Sequence, residues 1–153
     1  MKQTPKLDRI QRLMQPGVIS KEGFLGNDTR KLADIIEDDQ RLVASLGLTH
    51  EMIADVMEEI TDAGRETFGS PKMVGKFLKV TVEGSMGKIA SPFGGLYNKE
   101  NITVLNIETN ESITWTTLNI HMIRDHGFYQ GKGSCYRIEP KNIAKIFKLK
   151  QMI

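Results

Sequence analysis

The sequence predicts an α+β fold: about three N-terminal helices, then a small, mostly antiparallel sheet of about four strands and two C-terminal helices. Two changes of period carry that reading. Apolar residues recur at helical spacing from Leu7 to Ile60, then alternate singly from Leu78 to Val82. Beyond Thr117 the helical spacing returns.

The first helix starts at Thr4-Pro5, a cap residue followed by proline where a helix tolerates it. Leu7, Ile10, Leu13 and Met14 form its stripe, and Pro16-Gly17 stops it. Residues 17–27, with three glycines, read as a connection. A second helix is expected from Asp28, with Leu32, Ile35, Ile36, Leu42, Val43 and Leu46 inward and Gly47 after its end. Thr49 caps a third, with Ile53, Val56, Met57 and Ile60 inward and Gly64 as its terminator.

Gly69-Ser70-Pro71 separates this helical part, residues 1–70, from the sheet-containing part, residues 71–153, and the two read as one compact unit. Leu78, Val80 and Val82 alternate with Lys79, Thr81 and Glu83, as a half-buried strand does. Gly84-Ser85-Met86-Gly87 reads as a turn, with Lys88–Ala90 returning as a short partner strand. Ile102–Ile107 and Ser112–Trp115 read as a hairpin around Thr109-Asn110. Leu118–His126 is a helix closed by Gly127, and Glu139-Pro140 opens the last one, with Lys141, Lys145, Lys148 and Lys150 on its solvent side.

The chain has 153 residues, 39% apolar and 26% charged, within the range of globular proteins and outside that of disordered ones. No apolar run approaches the ~20 residues that span a bilayer. The opening MKQTPKLDRIQRLMQ has no apolar core of a secretory signal, and a lone Cys135 suits a reducing compartment. A cytoplasmic location is the expectation. Net charge is +2, unevenly distributed: +3 over residues 1–27, −7 over 28–66 and +6 over 67–153. Such asymmetry suits complementary layers of one fold, or self-association through acidic and basic parts. The third helix, with Glu51, Asp55, Glu58, Glu59 and Asp62, repels phosphates, so nucleic acid is not an expected partner.

Residues 126–137, HGFYQGKGSCYR, hold most of the chemistry. The glycine spacing is not that of a phosphate-binding Walker loop. An anion site of looser form is expected from the backbone at Gly131 and Gly133 with Lys132, Ser134 and Arg137 as donors. Were the protein an enzyme, His126, with His121 beside it, is the candidate acid or base, because histidine titrates near neutrality. His121, Asp125, His126 and Cys135 are the candidate ligands of a metal-dependent hydrolase, although histidines five apart on a helix diverge by roughly 140°. His50, at a helix start, reads as a solvated residue, and no cofactor is indicated. Loop 91–97 is either a lid over the 126–137 loop or a plain connection.

The segments LNIHMIRDHGFYQGKGSCYR, residues 118–137, and FLGNDTRKLADII, residues 24–36, are similar to uncharacterised small bacterial cytosolic proteins. The resemblance implies no activity, cofactor or catalytic residue. Three functions stay open: a binder of a small anionic molecule or acidic group through the 126–137 loop, an interaction or regulatory module without a small-molecule site, and a metal-dependent hydrolase.

Overall fold

Capping and glycine chemistry set the helix ends in the computed structural model, which describes residues 1–67 and 69–149. The Thr4 hydroxyl accepts from the Leu7 amide and starts α1, Pro5–Leu13. Helix α2 spans Leu32–Ser45, four residues later than Asp28. The Asp28 carboxylate accepts from the Arg30 amide and guanidinium, so this stretch closes as a local turn instead of entering the helix. Thr49 caps α3, His50–Arg65, through the Met52 amide.

Gly64 does not terminate α3; it is where the helix lies on the sheet. A β-carbon there would stand 2.7 Å from Val80 Cγ1 and 2.8 Å from Val82 Cγ2. The sheet is antiparallel in sequence order: β1, Lys72–Val74; β2, Leu78–Ala90; β3, Leu96–Asn106; β4, Glu111–Thr116. The residues expected to form a turn, Gly84–Gly87, lie within β2 as a bulge. Gly84 pairs with Glu100 and Lys88 with Asn98, so Ser85, Met86 and Gly87 face Lys99 alone. The hairpin turns instead at Ser91–Gly95, where the Ser91 amide donates to the Gly95 carbonyl. Short β1 pairs only with Leu78–Val80, leaving the rest of that side of β2 without a strand among the described residues.

Helix α4, Thr117–His126, carries a full capping box between Thr116 and Asn119, and Gly127 closes it at φ 63°. Its two sides serve two cores. Ile120 and Ile123 join Ile53, Met57, Val80, Ile102 and Trp115 in one; Leu118 and Met122 join Met14, Phe24, Leu32, Ile35 and Phe128 in the other. The β2–β3 ribbon also serves both. Ile102 packs into the first core and Tyr97 against the second, yet residues five apart on a strand point to opposite faces. The ribbon therefore changes its inner face along its length, and the glycine-flanked bulge lies between the two halves.

Helix α5, Pro140–Ile146, closes the first core with Ile143 and Ile146. Lys145 and Lys148 pair with Glu111 and Glu108 around the β3–β4 turn, and Lys150 lies outside the described residues. The acidic and basic parts of the chain meet within the protein: Arg124 of α4 bridges to Asp55 and Glu58 of α3. No described helix is long and apolar enough to cross a membrane.

Gly64→Ala is expected to cost about 1–3 kcal/mol, because two β-branched valines must yield to the new methyl. Urea unfolding measures it, and adding Val82→Ala should recover part of the loss.

Candidate functional site

Two glycine loops interlock at the centre of the candidate site. A β-carbon on Gly26 would stand 2.3 Å from the Ser134 amide nitrogen, and one on Gly131 would stand 2.3 Å from the Leu25 carbonyl oxygen. Each glycine admits the other loop's backbone. The contact is hydrogen-bonded throughout: the Gly131 amide donates to the Phe24 carbonyl, the Asn27 amide to the Lys132 carbonyl, and the Lys132 amide to the Asp28 carboxylate. The Arg30 guanidinium beside Asp28 holds that carboxyl well below its usual range, so it stays an acceptor.

Behind the interlock lies a buried ion pair. Arg137 donates through both terminal nitrogens to Asp39 of α2, each at 2.8 Å, and through Nε to Glu139. The side chains of Arg137 and Asp39 are 7% and 6% exposed, so neither charge has solvent to fall back on. Burial works against the arginine cation, and the bonds from Asp39 and Glu139 more than offset it, raising its pKa. The same guanidinium donates to the Gln130 carbonyl at 2.7 Å.

Gln130 is the residue this scaffold holds. Its φ is +73°, a left-handed conformation that costs a non-glycine residue about 1–3 kcal/mol. It is 4% exposed. The Ser134 hydroxyl donates to its Oε1, and the other end of the amide, Nε2, has no hydrogen-bond partner among the described residues. Gln130 lines a cleft of about 210 Å³ between the two loops, the β2–β3 ribbon and the start of α4. Phe24, Ile89 and Leu118 make its apolar surface, while Ser20, Asn98, Asn101 and Tyr136 bring hydroxyl and amide groups. Glu100, also in the lining, accepts from Arg65 and Thr117, which lower its pKa.

The loop residues expected to bind an anion lie largely behind this cleft. Arg137 is engaged by Asp39, Glu139 and Gln130; the Ser134 hydroxyl is turned to Gln130; Gly131 and Gly133 admit the 24–28 loop. Lys132 is exposed, with its backbone bonded on both sides. From the 126–137 loop, Gln130 and Tyr136 face the cleft, and neither residue type carries a sequence signal for such a place. Asp39 did have a signal: it occupies an apolar position in the stripe Leu32, Ile35, Ile36, Asp39, Val43.

The two histidines of α4 diverge. His121 lies on the Tyr97 ring, centroids 4.3 Å apart, and His126 stacks on Phe93 at 4.1 Å with 7° between planes. Loop 91–97 and the 126–137 segment thus meet, with Phe93 also edge-on to Phe128. Among the described residues no three His, Cys, Asp or Glu side chains come together as a metal site, so the hydrolase reading lacks its ligand set; Cys135 is exposed. His50 is half-buried rather than solvated. Its Nδ1 lies 2.8 Å from the Tyr129 hydroxyl, and its Nε2 is set against Gly127, where a β-carbon would stand 2.7 Å away. Burial, opposed by Asp39, lowers the His50 pKa; burial, then Asp39, raises that of Tyr129.

Comparison with protein-family models, curated proteins and solved structures finds no match to this chain.

Removing one partner of the buried pair, by Arg137→Ala or Asp39→Ala, should cost about 3–5 kcal/mol in chemical unfolding, because the remaining charge stays buried. The pH dependence follows from His50, whose proton is held less tightly in the fold than in the unfolded chain. Its contribution is complete above the ordinary histidine value of about 6.5 and is lost as pH falls below it. His126 is shifted the same way by burial and adds to this. Unfolding midpoints should drop between pH 7 and pH 5, with a shallower slope in His50→Gln; an unchanged slope would show that His50 is not responsible.

Proposed function

We propose that the protein is a small-molecule binder, and that an uncharged, hydrogen-bonding part of its ligand sits in the cleft beside Gln130. One observation carries this reading: Gln130, held in a strained backbone conformation by Arg137 and Ser134, lines the cleft with one end of its amide unpaired and open to solvent. The unpaired end of the amide is open to solvent, so a ligand acceptor can replace water there without rearranging the wall around it. Strain of this kind is kept where a surrounding structure holds it, and functional sites are where it collects.

The lining suits that ligand. Amide and hydroxyl groups stand around an apolar patch, as in small-molecule sites, and the charged residues of the lining, Lys99 and Glu100, carry opposite signs. The cleft, about 210 Å³, has room for a small ring or short polyol. The 126–137 loop keeps a binding role in this reading through Gln130 and Tyr136, with Arg137 and Ser134 as the residues that position Gln130.

The test is an amide and side-chain NMR titration with a panel of neutral polyols, sugars and amides. Binding compounds should move the Gln130 side-chain resonance together with Leu118 and Tyr136. Gln130→Gly should abolish the response while changing stability by no more than about 1 kcal/mol, because relief of strain offsets the lost hydrogen bond. Responses confined to Lys132 and Gly133, or unaltered by the substitution, would overturn the assignment.

A further inference from the structure

The Gln130 cleft does not end at its own rim. Ser85, Asn98, Lys99 and Glu100 line both it and a second, shallower hollow that continues over the β2 bulge to Gly84, Gly87 and Lys88. The two hollows share four residues and form one surface. We propose that this surface takes a singly phosphorylated polyol or sugar, its hydroxylated body in the cleft and its phosphate over the bulge; the proposal rests on the cleft reading above.

Charge and backbone both favour an anion at the bulge. Lys88 and Lys99 are exposed, and neither pairs with a carboxylate among the described residues. Lysine serves phosphate as a mobile point charge, which suits an open rim better than a fixed arginine fork. Ser85, Met86 and Gly87 have no paired residue in the β2–β3 register. Gly87, at φ 88°, has open space where a β-carbon would be, and Gly84 likewise, so an anion can approach the chain closely. Glu100 is the carboxylate on this surface. Both its oxygens accept from Arg65, and Thr117 donates to one of them, so its charge is balanced by the Arg65 cation.

The cleft supplies the other half of the recognition. Gln130 lines it with an amide end that has no partner among the described residues and is open to solvent, and Ser20, Asn98, Asn101 and Tyr136 add donors and acceptors for the body of the ligand. A bare phosphate uses only the bulge, and a bare polyol only the cleft. The joined molecule uses both, and the second contact follows the first without a new loss of translational freedom.

The experiment is a set of NMR titrations of the full chain with inorganic phosphate, with a panel of three- to six-carbon polyols and sugars, and with their monophosphates. Inorganic phosphate should move the Ser85–Lys88 and Lys99 amides, and less so as salt is raised. At least one monophosphate should bind ~10-fold or more tightly than its parent polyol, moving Gln130 and the bulge together. Lys88→Ala should remove most of that advantage while the parent polyol binds as before. Equal affinity of every monophosphate and its parent, or phosphate-induced changes at Lys132 and not at the bulge, would overturn the phosphate subsite while leaving the cleft reading standing. Phosphate at the bulge with no polyol or monophosphate moving Gln130 would instead overturn the cleft reading, and with it the two-part ligand.

Discussion

The close approach of two backbones, at Gly26 against Ser134 and Gly131 against Leu25, is the contact on which the rest of the site depends. Neither loop has regular secondary structure, so each needs another source of partners for its amides and carbonyls, and each finds them in the other. The consequence reaches beyond local order. With its chain fixed on both sides, the 126–137 segment can carry Gln130 in a conformation that a free loop would abandon. Arg137 completes the arrangement from below, because one guanidinium bonds α2 through Asp39 and the site through the Gln130 carbonyl. Helix packing and the geometry of the cleft lining are thus tied by a single side chain.

A second constraint is that α4 belongs to both hydrophobic cores. Its sequence LNIHMIRDH has little one-sided character because two of its sides are buried, and only its last turn, at Asp125 and His126, is exposed. Leu118 and Met122 point one way, Ile120 and Ile123 another, and the histidines cover what remains with aromatic partners from the ribbon. The β2–β3 ribbon answers the same demand differently, by presenting one face near Ile102 and the other near Tyr97. The cleft lies where these two solutions meet. Its apolar lining, Phe24, Ile89 and Leu118, belongs to the second core, and its polar lining comes from the ribbon and the two loops.

The helices and the order of elements were legible in the sequence because spacing, caps and terminal glycines agree there. Thr4, Thr49 and Gly127 do what their residue types suggest. The errors came from glycine, whose permissiveness has several uses that one sequence does not separate. Gly64 reads as a helix end and is a contact with valines; Gly84 and Gly87 read as a turn and are a bulge in a long strand. Gly131 and Gly133, expected to offer backbone donors, also give clearance to the 24–28 loop. That residues 126–137 would be held in an unusual arrangement was legible in their glycines and polar groups, but which of them would line the cleft was not. A left-handed glutamine leaves no mark in a single sequence, since its conformation is imposed by Arg137 and Ser134 and by a loop a hundred residues earlier. Asp39 was readable, as an acid in an apolar stripe, and its meaning needed Arg137 to be placed opposite.

The brevity of β1 leaves the outer side of β2 open beyond Val80, and an open strand edge is a template for unwanted pairing with other chains. This edge is poorly suited to recruit one. The bulge breaks its straight run of donors and acceptors, the glycines at 84 and 87 offer no side chains to a partner, and Glu83 and Lys88 place opposite charges within a few residues. The same irregularity that widens the surface beside the cleft therefore guards the sheet against edge-to-edge aggregation, and straightening the strand there would cost solubility before it cost the fold.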